Sequence, residues 1–197
     1  MPNVAFLDAT VLFPATLADT LLRAADAELY APCWTDAVLA DLRHSLAHRG
    51  GLPVEAVERR ASGIRESFPA ALVNGSGIRE EHLECHPRGK ANLAAALRGH
   101  CDTLVTFDER DFLGQRAAGI RVVDPDTFLV DLVDQYQPAV LRALELQLHV
   151  SRPGASWNDL LGTLDPWVPV FASEIRRALA KWPSWLDHTD TAPRRAV

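Results

Sequence analysis

Apolar and polar positions alternate along the chain in two rhythms, one suited to buried strands and one to helices. Residues 3–7 (NVAFL) form a short, partly β-branched apolar run that stops at Asp8, as a buried strand would. Pro14 then opens a stretch, 15–26 (ATLADTLLRAAD), whose apolar residues recur at helical spacing. A brief strand is predicted over 28–31 (ELYA), ended by Pro32. In WTDAVLADLRHSLAHRGG, Thr35 is placed as an N-cap. Leu39, Leu42 and Leu46 share one helical face, and Gly50-Gly51 supply the stop. A further helix is predicted from about Pro53 to Ser67, then a mixed segment with turns at Asn74-Gly75 and Pro87. KANLAAALRGH is strongly helical and leads into a second central strand, Thr103 to Thr106. IRVVDP gives a third strand, closed by Asp124-Pro125.

From Asp126 the pattern becomes helical throughout. Residues 126–150 predict one or two helices broken near Pro138, and the stretch from Ser151 to Trp182 predicts two more, with Ser156 and Asp165 as caps. The last residues (WLDHTDTAPRRAV) read as a frayed end. Strands alternating with helices imply an α/β fold over 1–125 with a mainly parallel sheet covered on both faces, and 126–197 read as a helical C-terminal extension.

Composition adds limits to this picture. The chain has 197 residues, 48% of them apolar and 23% charged, which suits a soluble globular protein with a real core. No apolar run approaches the roughly 20 residues of a membrane span, and the N-terminus reaches Asp8 with no basic region before it, so it reads as a strand and not a signal peptide. Cys33, Cys85 and Cys101 are odd in number and form no CxxC pair, the pattern of reduced thiols in a cytoplasmic protein. A net charge of −6 argues against binding nucleic acid through the overall field. An acid cluster holding a cation would reverse that field locally.

Acids stand where a parallel sheet places its ligands, beyond the carboxyl ends of strands. Asp8 ends the first strand, Asp41 lies on the helix after the second, and Asp108 and Asp111 follow the strand 103–106. Crowded carboxylates repel, and the repulsion is relieved by raised pKa values or by hard cations such as Mg²⁺ or Mn²⁺. Such a site activates water for in-line attack on a phosphodiester. Each acid also has an ordinary structural reading: Asp8 as an N-cap, Asp41 on a solvated helix face, Asp108 and Asp111 as turn residues. Only their combination favours chemistry.

VAFLDATVLFPA, WTDAVLADLRHSL and NLAAALRGHCDTLVTFDERDF together resemble the successive signatures of the PIN-domain family. The closest likeness is to VapC-type toxins with a helical C-terminal extension. It covers about residues 1–130, and the tail from Gln137 to Leu179 is also similar. The resemblance implies a PIN-like three-layer α/β/α sandwich and a Mg²⁺- or Mn²⁺-dependent endoribonuclease, the toxin of a type II toxin–antitoxin system. Its partners would be an RNA substrate, a cognate antitoxin and a second copy in a homodimer, in the cytoplasm. Asp8 matches the first metal-binding acid, and Asp41 falls where the family usually has Glu. Asp108 matches the acid or Asn after the strand, Asp111 the Asp of the DF pair, and Thr106 the hydroxyl that supports the metal-bound water or a carboxylate. Arg88, Lys90 and Arg110, with Arg59, Arg60 and Arg65, are candidate cations for RNA phosphates.

One departure stands out. The family pattern P-x-D-x-H-x-L-A-A-A is here Pro87-Arg88-Gly89-Lys90-Ala91-Asn92-Leu93-Ala94, so Gly89 replaces an Asp and Ala91 a His. The spacing of Glu84 and Asp102 gives neither a claim to replace that acid. The alternative reading is therefore a catalytically impaired PIN fold acting as an RNA- or protein-binding module. His82-x-x-Cys85-His86 lacks a second pair for zinc. His44 and His48, without a zincin Glu, read as a solvated helix face. Trp157, Trp167, Trp182 and Trp185 read as core or interface anchors that also suit a partner-binding surface.

Overall fold

A computed structural model describes residues 3–73, 83, 85–112, 119–151 and 154–181. Four strands form one all-parallel sheet: β1 (Val4–Leu7), β2 (Ala31–Cys33), β3 (Thr103–Val105) and β4 (Arg121–Val123), in the order β2-β1-β3-β4. The central strands β1 and β3 are almost entirely buried, which is why their sequences are apolar without alternation. Between strands run α1 (Ala9–Leu12), α2 (Ala15–Asp26), α3 (Asp36–His48), α4 (Val54–Ser67) and α5 (Pro87–Arg98). The chain leaves β1 toward β2 on one side and returns to β3 on the other. Right-handed crossovers in opposite directions send their helices to opposite faces. The result is an α/β fold consistent with a three-layer arrangement.

Pro32 lies inside β2 and does not end it, as the sequence had suggested. β2 is an edge strand, and Ala31 donates to Asn3 O at 2.9 Å, so the next nitrogen, that of Pro32, faces away from β1. The missing N–H therefore costs no ladder bond, as proline on an edge requires. Pro87, expected in a turn, is instead the first residue of α5. Asn74-Gly75 and the residues beyond Lys181 lie outside the described residues.

After β4 come α6 (Pro125–Ser151), α7 (Trp157–Leu164) and α8 (Pro169–Ala180). α6 is broken just before Pro138, at Tyr136 (φ −137°, ψ 34°). It packs on α2 and α8, and the buried side chains of all three belong to one apolar cluster with the sheet. A polar clip fixes the α2 contact: Thr20 Oγ1 donates to Gln147 Oε1 at 2.9 Å, and Gln147 Nε2 to Thr16 O at 3.0 Å. Tyr30 meets Phe128 edge-to-face at 5.0 Å. Ser156 caps α7 as expected, and the structure adds a reciprocal box with Asp159. Asp165 does not cap α8. It ends α7 and pairs with Arg176, while the α8 amides of Val170 and Phe171 donate to Asp126 at 2.9 and 2.7 Å.

The three cysteines are free. Cys33 and Cys101, far apart in sequence, are both buried and lie beside the same glycine. Gly99 packs against both: a Cβ there would stand 2.8 Å from Cys33 Sγ. Among the described residues no helix is long and apolar enough to cross a membrane.

Candidate functional site

Sheet order fixes where a site belongs. Strand order reverses between β1 and β3, and the crevice beyond their carboxyl ends is the natural ligand position in an open parallel sheet. Asp8 follows β1 directly, and its N–H donates to Val105 O at 3.1 Å, carrying the ladder one step past the strand. Thr106 continues β3 in the same way, donating to Val123 O at 3.0 Å. A cavity of about 420 Å³ opens here, and Asp8, Asp41, Asp108 and Asp111 all line it. Four acids from three separate stretches of chain thus share one space.

Asp8 occupies the N-cap position of α1 without capping it, because its side chain makes no bond to the helix amides. Asp8 is only 8% exposed, and its carboxylate turns instead to three side-chain donors. Oδ2 accepts from Thr10 Oγ1 at 2.9 Å and from Thr106 Oγ1 at 2.7 Å, and Oδ1 accepts from Asn92 Nδ2 at 3.1 Å. Thr106 is fully buried, and its oxygen also accepts the Asp108 amide at 3.0 Å, so it links the two acids. Thr10 accepts the Phe107 amide at 3.3 Å. A carboxylate has about four acceptor positions. Three are taken, and the remaining one is on Oδ1.

The other acids are held less firmly. Asp41 is exposed on α3 and shares a helical stripe with Ser45 and Arg49, which line the same cavity at successive i+4 steps. Asp108 is exposed. No hydrogen bond or ion pair among the described residues holds the Asp41 or Asp108 carboxylate. Asp111 sits in a 3-10 turn (Glu109–Phe112) and is half-buried. Its Oδ1 lies 3.5 Å from His86 Nδ1, and its carbonyl accepts the His86 amide at 2.9 Å.

Gly89 lines the cavity too, and a side chain there would press on its neighbours. A Cβ would stand 3.0 Å from Asp111 O and 3.0 Å from Phe112 Cε1, with Phe112 buried beneath. Asp102 cannot replace the missing acid. It precedes β3, at the opposite end from the cavity, and binds the Val4 amide at 2.9 Å. Glu84 and His82 lie outside the described residues.

The expected cations are mostly elsewhere. Arg60 donates to Leu12 O and Phe13 O at 2.7 and 3.0 Å, and burial pulls its pKa down. Arg65 pairs with Asp36, and Arg59 lines a separate cavity between α2 and α4. Lys90 is half-buried near Cys85, whose thiol burial pushes up and Lys90 pulls down. Arg110 is exposed, and the Arg88 side chain is outside the description. Among the described residues Arg49 is the cation that does line the cavity, its guanidinium 4.9 Å from the Phe13 ring centroid. The sequence reading passed over Arg49, Thr10 and Asn92. Asn92 had one signal: it lies i+3 from Gly89 on α5, and so on the same helical face. His44 and His48 are exposed with rings 4.3 Å apart.

The donor set, carboxylate and hydroxyl oxygen, suits a hard cation such as Mg²⁺ or Mn²⁺ in kind. Its spacing falls short of a closed ligand set: among the described residues no three His, Cys, Asp or Glu side chains are grouped to hold an ion. Comparisons with protein-family models, with curated proteins and with solved structures returned no match.

Proposed function

We propose that this chain is a metal-dependent endoribonuclease of the PIN type, the toxin of a type II toxin–antitoxin pair, with Asp8 at the centre of its site. One observation carries the reading. A buried carboxylate that caps nothing lies at the reversal of strand order and shares a cavity with three further acids. Acids in one cleft repel, and folding them together favours a site that takes up positive charge.

Asp8 would be the fixed member, oriented by Thr10, Thr106 and Asn92 and keeping one Oδ1 position for a ligand. Asp41 and Asp108, exposed and unpaired among the described residues, would turn onto the same charge. Asp111, tied to His86, would do so less readily. When bound, Mg²⁺ or Mn²⁺ would supply an activated water and neutralise charge on the phosphodiester. Arg49 would meet a phosphate at the edge of the cleft. A cognate antitoxin, a homodimer and a cytoplasmic location belong to the same proposal and follow from the family likeness.

Gly89 favours a second reading, a catalytically silent fold that binds RNA or protein. Gly89 supplies no carboxylate, and Phe112 and the Asp111 carbonyl crowd the Cβ that a further acid would need. Mn²⁺ titration by calorimetry, with an Asp8→Ala variant alongside and RNA cleavage measured in the same buffer, separates the two. The nuclease reading expects Mn²⁺ uptake and cleavage that the variant loses. Equal or absent uptake in both proteins removes the metal site and leaves the binding module.

A further inference from the structure

The mouth of the Asp8 cavity carries two aromatic rings from distant parts of the chain. Phe107 follows Thr106 at the end of β3, and its amide is held by Thr10. Trp167 comes from the turn between α7 and α8. The ring centroids are 5.9 Å apart and tilted by 48°. Phe107 is 37% exposed and Trp167 40%, so the pair leaves aromatic surface open to solvent over a cavity that both residues line. A contact serving only to dock α7 and α8 would bury its rings, as Val168 beside it is buried completely.

We infer that Phe107 and Trp167 form a stacking platform for an unpaired base of single-stranded RNA entering the Asp8 cavity. The inference deepens the RNA reading above and rests on it. Charge favours such a platform. A chain of net charge −6, with Arg49 as the cavity's cation among the described residues, gains little from phosphate neutralisation. Base faces are uncharged, and stacking on aromatic side chains tolerates any sequence. The platform is also built to stay in place. Val168 anchors the turn, the Trp167 amide donates to Leu164 O at 2.9 Å, and Arg176 holds Asp165 by two bonds. Little ordering cost then remains when a base arrives.

The test is fluorescence anisotropy of a labelled oligoadenylate, read in EDTA so that cleavage plays no part. The same strand carrying abasic nucleotides serves as the control. The full chain is compared with Trp167→Ala, Trp167→Phe and Phe107→Leu, the last keeping apolar volume while losing the ring. Stacking predicts affinity for oligoadenylate falling about tenfold in Trp167→Ala. Trp167→Phe recovers most of it, and Phe107→Leu weakens binding with the melting curve unchanged. The abasic strand binds the parent weakly and does not respond to the Trp167 change. Oligoadenylate that binds all variants alike, binds no better than the abasic strand, or does not bind overturns the platform. A surface for a protein partner gives the first of these results. Cleavage is assayed separately with Mn²⁺, so binding without cleavage sinks the enzyme and leaves the platform standing.

Discussion

Replacing Gly89 by alanine sets two effects against each other, and the sign of the result reports on the site. Gly89 lies in the first turn of α5 with no positive φ, so its backbone accepts any residue. Helix propensity alone would make Gly89→Ala stabilising by about 1 kcal/mol. The new methyl, however, would sit 3.0 Å from Asp111 O and 3.0 and 3.2 Å from the buried Phe112 ring. Carbon atoms prefer roughly 3.5–4.0 Å, and overpacking of this kind costs about 1–3 kcal/mol. The expected net change is a destabilisation of about 1 kcal/mol, a fall in melting temperature of roughly 2–4 °C for a chain of this size. Urea denaturation of four proteins measures it: parent, Gly89→Ala, Phe112→Leu and the double variant. In the Phe112→Leu background the ring's share of the crowding is gone while the Asp111 carbonyl stays, and Gly89→Ala should shift toward neutral by about 1 kcal/mol of coupling. Stabilisation by the single change, with no coupling to Phe112, would mean that the space over Gly89 is open. An aspartate there would then meet no obstacle, and the case for a site closed by Phe112 would fail.

Two further outcomes test the packing around the site. Asp126→Ala strips the acceptor from the Val170 and Phe171 amides and should cost about 1–2 kcal/mol in urea denaturation; a loss under roughly 0.5 kcal/mol would show that water caps α8 equally well. The Arg176 guanidinium, hydrogen-bonded to Asp165, holds that carboxyl below its usual range. The stabilisation is present above the unfolded pKa and is lost as pH falls through the lower folded one. Both side chains are about two-fifths exposed, so solvent keeps the effect small. Arg176→Gln should move the Asp165 titration, followed by carboxyl NMR, up toward the unfolded value, and superimposable curves would rule the pairing out.

What the sequence determined by itself was local: β1, β3 and β4 from apolar runs, α3 with its Thr35 cap, the Ser156 cap of α7, and acids positioned after strand ends. Such features depend on a few adjacent residues, and periodicity or hydrogen bonding within one turn is enough to specify them. The tertiary structure decided what meets across the chain. It made Pro32 harmless by placing β2 at an edge, and gave the cap of α8 to Asp126 when Asp165 was the nearer acid. It turned Asn92 onto Asp8 from 84 residues away, and brought Arg49 and Trp167 to the same cavity. No short window of sequence carries those pairings. They follow from strand order and from the angles at which helices pack, and side chains distant along the chain become neighbours only once both are set.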